Sequence, residues 1–412
     1  MAKEYPRWQK DLIRKILKVR RVVVVSGPRQ SGKTTLVKQV AARNDIFRTL
    51  DNDDFLKVAL SDPTGFVRHN TKGTMILDEI QKAPLLLSAI KQVVDENNTP
   101  GQFLLTGSAD MKTLPTISDS LAGRISHIRL RTLTIGELLG KRPSFFERAF
   151  KKDWPAQIKG YDKAAVIALA FRGGYPEVVK LPEAARERWH TDYAESLLNR
   201  DLRDIANIQR QDVMRSLLYV LAAWSGKLMD IAGICGKLSA SRRTVESYIN
   251  ALLALHLFER LPPWLRTDYD RVGRREKIFA TDTGFMAGLL RWRLDDVLMD
   301  TDRSGKIVET IVFNELAAQI DLRDGWRFYH YRDRLNREID FIVENDQGEL
   351  LGIEVKAGAS FSTNDCRHMV WFKENIVPDR SFTGIVLHSG QDILPLGENM
   401  YAVPTAALWD PG

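Results

Sequence analysis

Three groups of residues in this chain have types and spacing suited to chemistry. The first, Gly27-Pro28-Arg29-Gln30-Ser31-Gly32-Lys33-Thr34, reads G-x-x-x-x-G-K-T. Glycines at that spacing let successive backbone N–H groups turn toward a phosphate, and a helix starting there adds the positive end of its dipole. Lys33 would reach the β- and γ-phosphates of a nucleotide, and the Thr34 hydroxyl would ligate Mg²⁺. The second group is Asp78-Glu79, which closes the apolar run Thr74-Met75-Ile76-Leu77. Asp78 would hold the Mg²⁺ shell, and Glu79 would orient or deprotonate the attacking water. The third is Asp340 followed by Glu354-Val355-Lys356. In Glu-x-Lys on a strand both side chains share a face, and Asp340 on the preceding strand can lie opposite them. Two carboxylates holding Mg²⁺ beside a lysine are what metal-assisted phosphodiester hydrolysis needs. A glycine-rich turn, a solvated strand end and a charged sheet face are the plainer accounts of the same three groups.

These residues need elements to position them. Val22 to Val25 is a β-branched block suited to a strand buried on both faces. Thr34 to Arg43 reads as the helix after the loop, and Asp11 to Val19 as a lead-in helix. Further strands are expected at Phe47–Asp51, Thr74–Glu79, Gln102–Ser108 and Ile125–Leu130. Arg124, after Ser120-Leu121-Ala122-Gly123, suits an arginine finger on a neighbouring subunit's nucleotide, and equally an ordinary surface arginine. Phe145 to Lys159 reads as charged and irregular. Tyr161 to Arg203 reads as mostly helical, broken at Gly173-Gly174-Tyr175-Pro176.

Helices at Met214–Trp224, Asp230–Cys235 and Arg242–Leu257 follow, the last with Ser241 as its N-cap. Strands at Phe258–Leu261 and Lys277–Ala280 would then form a wing. That is the order of a winged helix-turn-helix, whose third helix would present Arg242, Arg243, Ser247 and Tyr248 to DNA. Winged helices also serve as lids or protein-interaction modules, so the DNA-binding assignment of Arg242 and Arg243 stays open. The C-terminal third reads as a helix at Gly305–Ile320, strands at Trp326–Tyr331, Glu338–Val343 and Glu349–Val355, a helix at Thr363–Lys373 and a strand at Thr383–Leu387. This αβββαβ order resembles the restriction-endonuclease-like fold. The helix would bring Glu309 beside Asp340 and Glu354 as a further metal ligand, as in related nucleases.

The series GPRQSGKTTL, MILDEIQ, FLLTGS and LAGR resembles a large family of prokaryotic AAA-type ATPases with a C-terminal domain of uncharacterised function. RGGYPEVV, LLNRDL, KIFATDTG and EIDFIVENDQGELLGIEVK look like that C-terminal domain. The resemblance implies an α/β fold: a P-loop NTPase (AAA-type) core over 1–150, a helical and winged-helix middle over 151–285, and a restriction-endonuclease-like domain over 286–412. It implies ATP and Mg²⁺ as cofactors. Nucleotide contacts are then expected from Gly27 through Thr35 and from Asp78. A polar residue at Thr106 or Ser108 would sense the γ-phosphate.

At 412 residues the chain is too long for one core, so two or three domains are expected. No apolar run is long enough to span a membrane, and Met1 to Lys10 lacks a signal-peptide core. Cys235 and Cys366 lie too far apart for a metal motif and suit free thiols in a reducing cytoplasm. A net charge of +7 permits a DNA partner without requiring one. The expected protein is a cytoplasmic Mg²⁺-dependent ATPase, able to form a homo-oligomer. Its C-terminal region would bind and cleave DNA, or bind DNA or a protein without cutting.

Overall fold

The computed structural model describes residues 4–69, 72–108, 123–202, 210–267 and 274–410, the side chains of 200 and 201 apart. The chain forms two compact units: Pro6–Thr132 with Ala254–His256, and Glu4–Tyr5 with Leu133–Leu253 and the chain from Leu257 onward. The segment after Thr132 packs within the second unit and is tied to later residues. The Leu133 N–H donates to the Gly174 carbonyl at 2.7 Å.

In the first unit five parallel strands lie in the order β2-β3-β4-β1-β5: β1 (Val22–Ser26), β2 (Ile46–Thr49), β3 (Met75–Asp78), β4 (Phe103–Gly107) and β5 (Ile125–Arg129). Helices α1 (Gln9–Leu17), α2 (Lys33–Val40), α3 (Asp53–Ser61), α4 (Pro63–Arg68) and α5 (Leu86–Glu96) accompany them. The all-valine run of β1 has a direct cause. Val22 and Val24 join one core with Leu77 and Leu105, whereas Val23 and Val25 join another with Ile76 and Leu104. A strand covered on both faces has no solvent side for polar residues.

The second unit begins with α6 (Ile135–Leu139) and α7 (Phe145–Lys151). The latter corrects the irregular stretch expected from Phe145: Phe145, Phe146 and Ala149 are buried and hold one helical face despite the charges around them. Then come α8 (Lys163–Arg172) and α9 (Glu183–Ser196), separated at the expected glycine turn. Helices α10 (Gln211–Ala223), α11 (Ile231–Leu238) and α12 (Arg242–Ala254) follow. A three-stranded antiparallel sheet accompanies them, ordered β6-β8-β7: β6 (Lys227–Leu228), β7 (Phe258–Leu261) and β8 (Lys277–Ala280). Ser241 caps α12, its hydroxyl accepting from the Thr244 N–H at 3.2 Å.

After α13 (Thr283–Leu289), α14 (Leu294–Met299) and α15 (Thr301–Ile320), a six-stranded mixed sheet runs β13-β14-β12-β11-β10-β9. Its strands are β9 (Arg327–Arg332), β10 (Glu338–Glu344), β11 (Leu350–Val355), β12 (Phe382–His388), β13 (Leu394–Gly397) and β14 (Met400–Pro404), with α16 (Arg367–Asn375) before β12. The β10–β11 hairpin turns where Gly348 takes φ +79°. There the Asn345 side chain accepts from the Gln347 and Glu349 N–H groups. The edge pair β13 and β14 extends the sheet beyond the expected order.

Glu315 anchors this unit from the middle of α15. It is fully buried, and its carboxyl accepts from the Ile135 N–H at 2.6 Å, at the start of α6. Burial pushes the carboxyl up to about 8. The folded chain then holds a proton that the unfolded chain releases above the ordinary carboxylate range. Stability from this group is full at acid pH and is lost as pH rises toward 8, by at most about 1.4 kcal/mol per pH unit. Glu315→Gln keeps the acceptor and loses the titration. Thermal unfolding at pH 5 and pH 8 should therefore show a smaller alkaline loss in the variant than in the wild type.

Candidate functional site

The glycine-rich loop leaves β1 and enters α2 through two left-handed residues, Gln30 (φ 59°) and Gly32 (φ 94°). Gly27 has no room for a side chain, because a Cβ there would lie 2.0 Å from the Leu130 carbonyl oxygen. Lys33 is 5% exposed and donates to the Gly27 and Pro28 carbonyls at 3.0 and 2.9 Å, folding its ammonium back over the loop. The Ser31 hydroxyl is buried and has no hydrogen-bond partner among the described residues. Pro28, Arg29 and Thr35 complete the loop and the first turn of α2.

The end of β3 supplies both acids, Asp78 and Glu79. The Thr34 hydroxyl donates to both Asp78 carboxylate oxygens, at 3.1 and 2.9 Å. β4 lies between β1 and β3 and brings Thr106 to the same carboxylate. Thr106 also accepts from the Glu79 N–H at 3.1 Å. Glu79 is left-handed, at φ 60°. Its carboxylate is held by the Gln81 amide, which also donates to Ser108 at 2.9 Å. Gln81 is a site residue the sequence reading passed over. Its signal was its place in MILDEIQ, two residues after Glu79. Arg124 is in an ion pair with Asp95 on α5. Residues 120–122, before it, lie outside the described residues.

The residues present fit a Mg²⁺–nucleotide. A loop with left-handed residues can turn N–H groups inward, Lys33 is near its own loop carbonyls, and Thr34 already meets Asp78. Residues 19–139 match a family described as an AAA domain. The first unit carries an AAA-type P-loop domain. After it, residues 163–296 and 304–408 match two families described as domains of unknown function. An uncharacterized protein of Mycobacterium tuberculosis is 27% identical over 395 residues, covering 95% of this chain and 81% of that one. One of Haemophilus influenzae is 22% identical over 376 residues, covering 86% and 87%. Among solved structures, AMPPCP-bound DnaA from Aquifex aeolicus superposes with a TM-score of 0.29 at 13% identity, covering 60% of this chain and 85% of that one. RuvB from Thermotoga maritima gives 0.27 at 19% identity, covering 61% and 88%.

Beyond the AAA domain, β10 and β11 pair antiparallel with Phe341 opposite Ile353. Carried one residue further, that register sets Asp340 opposite Glu354. The Asp340 carboxylate accepts from the Val355 N–H at 2.8 Å. Lys356 bridges Glu354 at 3.4 Å and Asp365 at 3.2 Å. Burial first, then the Asp340 charge, push the Glu354 carboxyl up to about 8 against the pull of Lys356.

A group from another sheet enters this constellation. Lys277, on β8, has a side chain only 3% exposed, and its ammonium meets Glu338 at 2.8 Å, Glu309 at 3.0 Å and Asp340 at 3.6 Å. Burial alone would lower its pKa, but the three carboxylates outweigh burial and hold it above the ordinary lysine range. Burial pushes Glu309 up to about 7 even with Lys277 beside it. Of the expected metal set, Glu309 and Asp340 meet the Lys277 ammonium, while Glu354 faces Asp340 and pairs with Lys356. Among the described residues no group of three or more acidic, histidine or cysteine side chains is disposed to hold a metal ion. The residues do not fit a resident Mg²⁺ there. Neither Lys277 nor Glu338 was marked by sequence spacing, since one comes from the small sheet and the other from the start of β10.

At the start of α12, Arg242 and Arg243 are exposed, and Arg242 is bonded to Glu246 at 2.8 Å. Ser247 is exposed. Tyr248 corrects the expected DNA-facing set: it is 4% exposed, and its hydroxyl accepts from the Arg210 N–H at 3.1 Å.

Removing Lys277 would leave three clustered carboxylates without their buried counter-charge. Lys277→Ala should destabilise the second unit by about 3–5 kcal/mol, read from urea unfolding at neutral pH. The exposed ion pair at Arg188–Asp192 is the contrast: Arg188→Ala should change stability by less than about 1 kcal/mol.

Proposed function

We propose that this protein hydrolyses ATP with Mg²⁺ in its AAA domain and uses the nucleotide state to govern a second unit that binds nucleic acid. The observation that carries the ATPase reading is the joining of Thr34, Asp78 and Thr106 in one hydrogen-bonded set, with Glu79 held beside it by Gln81. Gly27 to Thr35 would hold the phosphates, and Thr34 and Asp78 the Mg²⁺. The cation would supply charge stabilisation at the transferred phosphoryl group. Lys33 would neutralise phosphate charge, and Glu79 would accept or orient a proton of the attacking water. Arg124 would have to leave Asp95 to serve a neighbouring copy.

For the second unit the favoured reading is binding without cutting, supported by the ammonium of Lys277 among Glu309, Glu338 and Asp340. Arg242 and Arg243 would contribute electrostatic contacts from α12. Cleavage is the rival reading, supported by the facing of Asp340 and Glu354 beside Lys356.

Lys33→Ala should weaken ATP binding, measured by titration calorimetry with Mg²⁺, by at least about tenfold, or 1.4 kcal/mol. Glu79→Gln should keep binding and lower turnover by about 10²–10⁴. Wild-type turnover in Glu79→Gln would remove Glu79 from its role. Plasmid incubated with the protein and Mg²⁺ or Mn²⁺ should stay intact. Nicking that disappears in Lys356→Ala would instead establish the cutting reading.

A further inference from the structure

We propose that the cleft between β9 and the residues leading into β8 holds a nucleic-acid backbone by its phosphodiesters. This rests on the nucleic-acid reading above and says where in the second unit the polymer lies. The cleft has a volume of about 470 Å³ and is lined by Arg274, Arg275, Arg332 and Arg334. Asp333 is the one acid among its described lining residues, and its carboxylate is already taken by Arg337 at 2.8 Å. Arg274, Arg275 and Arg334 are exposed. Arg332 turns toward Glu338, at 3.1 Å.

The neighbouring cleft, beside α12, makes the contrast. Its volume is about 480 Å³, and it shares Arg274 and Arg275 with the first. There the other arginines are matched: Arg242 by Glu246 at 2.8 Å, and Arg260 by Glu276 at 3.5 Å, with Asp230 also in the lining. Arg274 and Arg275 form the divide between a neutralised cleft and a cationic one. Among the described residues the unmatched charge therefore lies on the β9 side, away from the helix that the winged-helix pattern nominates.

The chemistry of the cationic side selects its ligand. Guanidinium groups present paired donors in a plane that matches phosphate oxygens, and several in a row match a repeating phosphate charge. Leu228, Pro263 and Tyr331 supply an apolar wall, against which such pairs are screened less than in open water. The imidazole of His330 stays neutral, pushed down to about 4 by burial and then by Lys277, and donates from Nε2 to the Arg275 carbonyl at 3.3 Å. That bond fixes the backbone from which Arg275 projects. The positive character of the cleft is carried by arginines alone.

The test is fluorescence anisotropy of the full chain with labelled single-stranded DNA, duplex DNA and RNA of one sequence over a NaCl series. The expected result is that Arg274→Ala/Arg275→Ala/Arg334→Ala lowers the log–log salt slope by about 2–3 and weakens binding more than tenfold at low salt, since each phosphate contact contributes about 0.7–0.9 to the slope. Lysine at the same three positions should restore the slope, which a merely structural loss would not allow. Arg242→Ala/Arg243→Ala should lower the slope less than the triple variant does. Wild type that binds none of the three polymers overturns the nucleic-acid reading and this inference with it. Wild type that binds, with slope and affinity unchanged in the triple variant, overturns the cleft alone. The DNA and RNA arms identify which polymer supplies the backbone.

Discussion

A buried ammonium is stable only where its charge is answered at short range, and Lys277 meets that condition with three carboxylates from two elements. Glu309 comes from α15, and Glu338 and Asp340 from β10, while Lys277 itself arrives on β8. The small sheet is thereby tied to the large one at a point where neither could leave its charges alone. Gly226, left-handed at φ +82°, comes so close to Glu309 that a Cβ would lie 2.7 Å from a carboxylate oxygen. The neighbourhood is packed around these charges. Such a cluster contributes specificity of arrangement more than net stability, because desolvation offsets much of the attraction.

That arrangement changes what the acids can do. A divalent cation demands oxygen ligands free to approach it closely. Here the nearest carboxylates already share a cation that the fold supplies and cannot release by diffusion. Of the residues whose pattern suggests hydrolysis from sequence, Asp340 is drawn with Glu309 and Glu338 into an ion-pair cluster around Lys277 that joins two sheets. Arg332 extends the network outward through Glu338 to the cationic cleft. Charge thus passes from an interior of acids gathered around Lys277 to a surface lined by arginines over a few residues of β9 and β10.

The AAA domain follows a different logic. Its acids and hydroxyls sit at the ends of parallel strands, where apolar strands stop and polar groups can face a ligand. Thr106 lies between β1 and β3 because β4 does, so its hydroxyl can serve Asp78 and the Glu79 backbone together. Gln81 restrains Glu79 while touching Ser108. The bonds that join the end of β3 to β4 follow from strand order, which a linear pattern does not state.

Local chemistry made much of this protein legible in one dimension. The spacing of Gly27, Gly32, Lys33 and Thr34 determined the loop, because backbone torsion and phosphate reach are local properties. The valines of β1 announced a strand covered on both faces, and the order of elements from α15 to β12 was readable from periodicity. Ser241 was readable as a cap because capping is decided within a few residues. Tertiary structure alone decided that Tyr248 is buried, that Arg124 pairs with Asp95, that the segment after Thr132 joins the later helices, and that Lys277 enters the acid cluster. Those outcomes depend on which distant segments meet. A lysine on an apolar strand looks like an exposed edge until three carboxylates, brought from dozens of residues away, make its burial electrostatically possible.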